Sequence, residues 1–159
     1  MSMADDDRLL MFSYGSNTAT SYLRDYCPSA EPVMRAVLPN FWIQFRRYST
    51  DLNGGISTIM ETPGDMVRGM LFSVPGREID ELDILEDVPI GLYIREGYMV
   101  LGEDNNWYNA QLYRVANPEG PFPPSRQYVA YMIEGAKEQG QPADYIARIE
   151  AFQNDFADA

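Results

Sequence analysis

The sequence predicts an α+β domain. Three observations carry that prediction. Strand-like runs dominate the chain through Val115, helix-periodic runs close it after Ser125, and no regular βαβ alternation links the two. A chain of 159 residues with neither an internal repeat nor a linker fits one ordinary domain.

The first element is Arg8 to Tyr14, an apolar run that reads as a buried strand, broken by Gly15-Ser16-Asn17. Thr18 to Tyr26 reads as a short helix stopped before Pro28. Glu31 to Leu38 and Phe41 to Tyr48 read as two strands, with Pro39-Asn40 between them. Gly54-Gly55 is expected as a hairpin turn or a point of close backbone approach, followed by a strand from Ile56 to Met60. Thr62-Pro63-Gly64-Asp65 has the chemistry of a turn, and Val67 to Val74 that of a strand. An acidic helix follows, then a loop through Pro89 and Gly91. Tyr93 to Leu101 and Trp107 to Val115 flank Gly102 to Asn106, a β-hairpin signal. Asn117 to Pro124 holds four prolines and is expected to be irregular. Ser125 to Gln139 reads as a helix with Tyr128, Tyr131, Met132 and Ile133 as its main apolar residues, ended by Gly140. Pro142 to Phe152 reads as the last helix, with a frayed tail after Gln153.

Composition narrows the function. The net charge of −12 argues against nucleic acid, because phosphate binding needs a surplus of Lys and Arg. No apolar run approaches a membrane span, so no membrane partner is expected. Met1 to Arg8 is acidic and lacks the basic-then-apolar order of a signal peptide. A single cysteine, Cys27, allows no internal disulfide, and a cytoplasmic location is expected. The absence of histidine excludes more than any other count. It rules out a Ser-His-Asp triad, a Cys-His pair and an imidazole metal ligand within this chain. No metal site and no cofactor are expected. Acid–base work must fall to Asp, Glu, Tyr or the single lysine, Lys137.

One carboxylate stands out. Glu78 to Asp87 holds six acidic residues. At about 100° per residue, Ile79, Leu82 and Leu85 share a face, and Glu86 projects from the same stripe. A carboxylate aimed at a core resists ionisation, so its pKa rises toward the range of a general base or acid. The alternative is a Glu86 at the helix edge that reaches water. Asp83 lies near the same face. It reads either as the second member of an acid pair or as a hydrogen-bonder between helix and loop. Tyr14-Gly15-Ser16-Asn17 is a strand-to-helix junction whose N–H groups suit an anion, or else a plain turn capped by Ser16 or Asn17. Cys27 has no histidine to activate it and reads as buried. The acidic run lacks the spacing and glycine of a calcium loop.

Seven motifs in order give a family resemblance. They are Phe12-Ser13-Tyr14-Gly15-Ser16-Asn17, Gly54-Gly55-Ile56-Ser57-Thr58-Ile59, and Pro63-Gly64-Asp65 before Val67 to Phe72. Then come Leu82-Asp83-Ile84-Leu85-Glu86, Gly91-Leu92-Tyr93, Pro124-Ser125-Arg126-Gln127-Tyr128, and Gly135-Ala136-Lys137-Glu138. The chain resembles the γ-glutamylcyclotransferase family, its animal-type members more than the glutathione-specific branch.

The resemblance implies a single domain over residues 8–153, a small mixed β-barrel with flanking helices. It implies an enzyme that cyclises a γ-glutamyl amino acid or peptide to 5-oxoproline and releases the amine. γ-Glutamylamine cyclisation, or a non-catalytic binding module of the same fold, are the alternatives. It puts the catalytic role on Glu86, glutamyl binding on Tyr14, Gly15, Ser16 and Asn17, and pocket positions on Tyr93, Tyr113 and Tyr128. The implied partner is a small γ-glutamyl molecule, and a homodimer is left open. One departure is visible. Asp87 and Pro89 follow Glu86, where the animal enzymes carry a glycine directly after the glutamate. That charge bears on the pKa of Glu86 or on the leaving-group pocket.

Overall fold

A computed structural model describes residues 7–15 and 20–156, save the side chains of residues 20–22. Five strands close into a barrel in the order β1-β3-β2-β4-β5. They are β1 (Arg8–Ser13), β2 (Glu31–Ser49), β3 (Gly54–Pro75), β4 (Tyr93–Gly102) and β5 (Trp107–Val115). Antiparallel ladders join all neighbours except β1 and β5, which meet in parallel at Met11 and Gln111. The barrel is therefore mixed, as the resemblance implies. Among the described residues four α-helices flank it: α1 (Thr20–Tyr26), α2 (Gly76–Leu85), α3 (Arg126–Glu138) and α4 (Ala143–Glu150), followed by a 3₁₀ turn at Ala151–Asp155. Among the described residues no helix is long and apolar enough to cross a membrane.

The two expected strands around Pro39-Asn40 are one strand. Asn40 takes φ 68, and the register slips between Pro39 and Phe41, so a bulge bends β2 without ending it. Opposite this bulge, β3 makes the expected turn inside a continuous strand. Phe41 pairs with Glu61 and Pro39 with Met66, so Thr62 to Asp65 bow outward. Gly64 takes φ 87 there, and its N–H donates to Asn40 Oδ1 at 3.0 Å. The bulge and the bow fold together, and local composition cannot display that pairing.

Gly54-Gly55 proves to be a close approach. Gly55 N–H donates to the Pro123 carbonyl at 2.7 Å, and a Cβ on Gly54 would come within 2.5 Å of Ser125 N. The proline-rich loop is thereby strapped to the start of β3. Thr18 lies outside the described residues, and α1 is described from Thr20. Ser125 caps α3 by accepting from Tyr128 N–H at 3.2 Å. That helix buries Tyr128, Val129, Met132, Gly135 and Ala136, while Tyr131 and Ile133 sit at its edge. Past Gln153 the described chain continues in the 3₁₀ turn to Asp155, and the Arg126 guanidinium lies 4.6 Å from the Phe156 ring centroid.

The core fills the barrel and its helix contacts with Met11, Phe12, Ile59, Leu71, Phe72, Val100 and Leu112, among others. Ile79 and Leu82 are the buried apolar residues of α2. Burying each contributes about 1.5–3 kcal/mol, enough to pin this helix on the barrel. Leu85, expected on the same stripe, is 51% exposed. Helical rotation carries position 85 off the Ile79–Leu82 line, and the inward line continues at Glu86, four residues beyond Leu82.

Candidate active site

Helix α2 ends in a Schellman motif, and that motif places Glu86. Asp87 N–H donates to the Ile84 carbonyl at 3.1 Å and Val88 N–H to the Asp83 carbonyl at 3.0 Å. Glu86 is the C-cap, with its own N–H on the Leu82 carbonyl. So it does lie at the helix edge, yet its side chain turns inward and is partly buried. Asp87 takes the left-handed C′ position at φ 57, a conformation glycine adopts without strain.

Glu86 lines a cavity of ≈ 410 Å³ that is continuous with solvent. Its walls include Ser13, Tyr14, Gly15, Ser57, Tyr93, Tyr113 and Tyr128. Of the eight residues singled out in the sequence, six meet here. Ser16 and Asn17 lie outside the described residues. The barrel explains the convergence. The parallel contact of β1 with β5 sets Tyr14 beside Tyr113, and Tyr93 opens β4 opposite Val115 at the end of β5. Helix α3 brings in Tyr128.

Three of the tyrosine hydroxyls are fixed by bonds to barrel strands and the fourth, Tyr113, by a bond to helix α2. Tyr14 Oη donates to the Tyr113 carbonyl at 2.5 Å. Tyr93 Oη donates to the Ser57 carbonyl at 3.2 Å. Tyr128 Oη accepts from Ser57 N–H at 3.2 Å and shares a 2.9 Å hydrogen bond with Ser57 Oγ. Tyr113 Oη donates to Asp83 Oδ1 at 2.6 Å. Burial, reinforced by Tyr128, holds the phenols of Tyr14 and Tyr93 above their ordinary pKa. Burial and then the Asp83 bond do the same for Tyr113. All three stay protonated donors at neutral pH.

The carboxylates of α2 have separate fates. Asp83 takes a two-pronged bond from Arg95, Nε at 2.8 Å and Nη2 at 3.0 Å, while Arg95 Nη1 reaches Gln111 Oε1 at 2.7 Å. It links the helix to strands rather than to a loop, and it makes no acid pair. No described residue donates a hydrogen bond to the Glu86 carboxyl. Burial and then the neighbouring charge of Asp87 push its pKa up to about 7.

Gly15 needs its small size rather than a positive φ. A Cβ there would lie 2.8 Å from Ser57 Oγ, which Tyr128 holds in place. Cys27 is fully buried, and burial raises its thiol to about 11, so it is no nucleophile. Among the described residues no three of Cys, Asp and Glu converge as metal ligands.

Sequence reasoning gave no role to Ser13, Ser57, Thr58 or Arg95. Ser57 and Thr58 are successive polar residues in a strand buried on both faces, and Thr58 Oγ1 accepts Val115 N–H at 2.9 Å. Two adjacent polar residues inside an apolar run are a readable signal, since both need buried partners. Ser13 is 3% exposed, and its Oγ has no partner among the described residues. Nothing in the sequence marks Arg95, which meets Asp83 through strand register alone.

Known proteins resemble this chain in sequence and in fold. A family model, the AIG2-like family, matches residues 66–149. Gamma-glutamylcyclotransferase of Homo sapiens is 32% identical over 157 residues, covering 96% of this chain and 83% of that protein. The Bos taurus protein of the same name matches to the same extent. A solved structure of a gamma-glutamyl cyclotransferase superposes with a TM-score of 0.87 at 32% identity, over 91% of this chain and 88% of that one. With the closed mixed barrel and its flanking helices already in place, these matches settle the family: the chain belongs to the AIG2-like, γ-glutamylcyclotransferase family of enzymes.

Proposed function

We propose that the protein cyclises a γ-glutamyl amino acid or peptide to 5-oxoproline and releases the free amine, with Glu86 as the acid–base group. The observation that carries this reading is Glu86 itself. Its carboxyl opens into a cavity walled by protonated tyrosines, and its pKa of about 7 suits proton transfer at neutral pH.

The nucleophile is the substrate's own α-amine. Glu86 takes a proton from the α-ammonium, and the freed amine attacks the γ-carbonyl. A C–N bond forms and closes the five-membered ring. The old amide C–N bond then breaks, and Glu86 passes its proton to the leaving nitrogen. The second proton lost by the attacking nitrogen follows the same route, so the amine departs as an ammonium ion. No protein nucleophile, metal or redox group takes part in these steps.

Positioning supplies up to ~7–11 kcal/mol in well-oriented intramolecular reactions. The tyrosine ring favours that contribution, because each hydroxyl is tied to a barrel strand or, for Tyr113, to Asp83 of α2. Gly15 lies beside Tyr128 and Ser57, and its lack of a Cβ leaves their hydrogen bond undisturbed. In this reading the segment from Tyr14 to Asn17 holds the glutamyl end through main-chain N–H groups, with Tyr93, Tyr113 and Tyr128 around the ring as it closes.

The test is Glu86→Gln with γ-glutamyl-alanine as substrate and 5-oxoproline as the measured product. Turnover should fall by roughly 10²–10⁴-fold, the usual contribution of a positioned acid–base group, while the circular dichroism spectrum is unchanged. Near-normal turnover in a folded Glu86→Gln protein would remove Glu86 from the mechanism. Absence of 5-oxoproline with the unaltered protein would overturn the activity.

A further inference from the structure

One hydroxyl on the wall of the Glu86 cavity has no part in the proposed steps. Ser13 closes β1 and lines that cavity of ≈ 410 Å³. Among the described residues, its Oγ is the one buried side-chain polar atom without a hydrogen-bond partner. Bulk water does not reach it, so nothing offsets its lost hydration. A partner for it must enter the cavity. An orphan of this kind beside a candidate acid–base group points to a ligand contact.

The fold holds this hydroxyl in place. Ser13 pairs with Met70 in the β1–β3 ladder, and a Cβ on Gly69 would strike the Ser13 carbonyl oxygen. The rings of Phe12 and Tyr14 stack at 6.3 Å on one face of the chain, which turns Ser13 to the other. Gly15 shares that second face, where a Cβ would point at Ser57 Oγ and Tyr128 Oη. Ser13 thus stands on the Ser57 and Tyr128 side of the cavity.

The other hydroxyls of the wall are committed. Tyr14, Tyr93 and Tyr113 each give their proton to a protein oxygen, and Ser57 and Tyr128 bond to each other. Toward a ligand, the first three keep only lone pairs. Ser13 brings an uncommitted O–H. A γ-glutamyl group has two kinds of oxygen that could take it. The α-carboxylate is charged and needs several donors, which the proposed function assigns to main-chain N–H groups from Tyr14 to Asn17. The γ-carbonyl is neutral, and a single hydroxyl set between buried Phe12 and Tyr14 in the chain suits it.

Resting on the cyclotransferase reading, we infer that Ser13 is a further catalytic residue, whose hydroxyl donates to the γ-carbonyl oxygen and stabilises the oxyanion formed there during ring closure. The bond strengthens as attack by the α-amine turns C=O into C–O⁻. It relaxes when the carbonyl re-forms and the old amide C–N bond breaks. The proton stays on Ser13 throughout. A donor on a paired strand, rather than on a loop, needs little reorganisation at that moment.

Ser13→Ala and Ser13→Cys test this, with γ-glutamyl-alanine as substrate and a thermal melt of each ligand-free protein. Loss of one oxyanion donor typically lowers kcat by about 10²–10³-fold. Ser13→Ala should show a fall on the order of a hundredfold in kcat with little change in KM, because the contact is made chiefly in the transition state. Ser13→Cys keeps a weaker donor and should fall between the two. The ligand-free Ser13→Ala protein should melt no lower than the unaltered one, since it loses a buried hydroxyl that had no bond. Unchanged kcat in Ser13→Ala, with or without a rise in KM, would overturn the oxyanion role and leave the cyclotransferase standing. A lower melt for Ser13→Ala would show a protein partner for Oγ and would likewise overturn it. If the unaltered protein makes no 5-oxoproline, the cyclotransferase reading falls and this inference falls with it.

Discussion

Asp83 and Glu86 stand three residues apart at the end of one helix, and their surroundings are opposite. Asp83 is held from the barrel side by Arg95 and Tyr113 through three hydrogen bonds. Glu86, one turn later, faces the cavity with no donor among the described residues and with Asp87 beside it. The difference teaches how one short acidic helix serves two purposes. The paired carboxylate anchors α2 and fixes a cavity tyrosine. The unpaired one is left costly to ionise, and in the proposed mechanism that cost suits it to carry a proton near neutral pH.

The sharpest test of this contrast is the pH dependence of kcat/KM. A base must be ionised to act, and Glu86 carries its proton until about pH 7. The rate on a γ-glutamyl substrate should therefore fall about tenfold per pH unit on the acid side of that midpoint. An acid limb centred near 4.5 would make Glu86 as ordinary as a surface carboxylate.

Stability gives the next largest effect, and its sign is unusual for an acid. The folded pKa is raised from 4.5 to about 7, so the folded state keeps a proton that the unfolded chain has released. Stability relative to an uncharged residue is then whole below pH 4.5, is lost as pH rises toward 7, and stays lost above it. At about 1.36 kcal/mol per pKa unit the ceiling is roughly 3 kcal/mol. Glu86→Gln should melt higher than the unaltered protein at pH 8, with the two converging near pH 4.5. A variant that melts lower at pH 8 would show that Glu86 has a stabilising partner.

Asp83→Asn probes the other side. It removes the ion pair to Arg95 and weakens the acceptor for Tyr113, so it should lose roughly 1–3 kcal/mol of stability in urea denaturation. Turnover should drop less than in Glu86→Gln, because Tyr113 loses its tether while the acid–base group remains. If Asp83→Asn abolished turnover in a folded protein, the division of labour between the two carboxylates would be reversed.

Much of the fold was legible because the chain punctuates itself. Gly102 to Asn106 marked the hairpin, Ser125 and Gln139 bounded α3 at its caps, and Pro75-Gly76 opened α2. The bulge at Asn40 and the bow at Thr62 to Asp65 were misread as breaks. Each is locally a turn signal, and only their mutual pairing keeps both strands continuous.

The site divides along the same line. The sequence by itself excluded imidazole chemistry within this chain, since histidine is absent, and helical periodicity directed attention to Glu86. The family resemblance that its motifs carry pointed to Tyr14, Gly15, Tyr93, Tyr113 and Tyr128. Tertiary structure alone decided that these residues share one cavity, because closing a barrel joins positions about a hundred residues apart, as in the bond from Tyr14 to Tyr113. It also decided the surroundings of each carboxylate. Asp83 and Glu86 are chemically alike in the sequence, and what separates them is the desolvation of Glu86 and the placement of Arg95 on β4 against Asp83, properties of three-dimensional packing that no local pattern encodes.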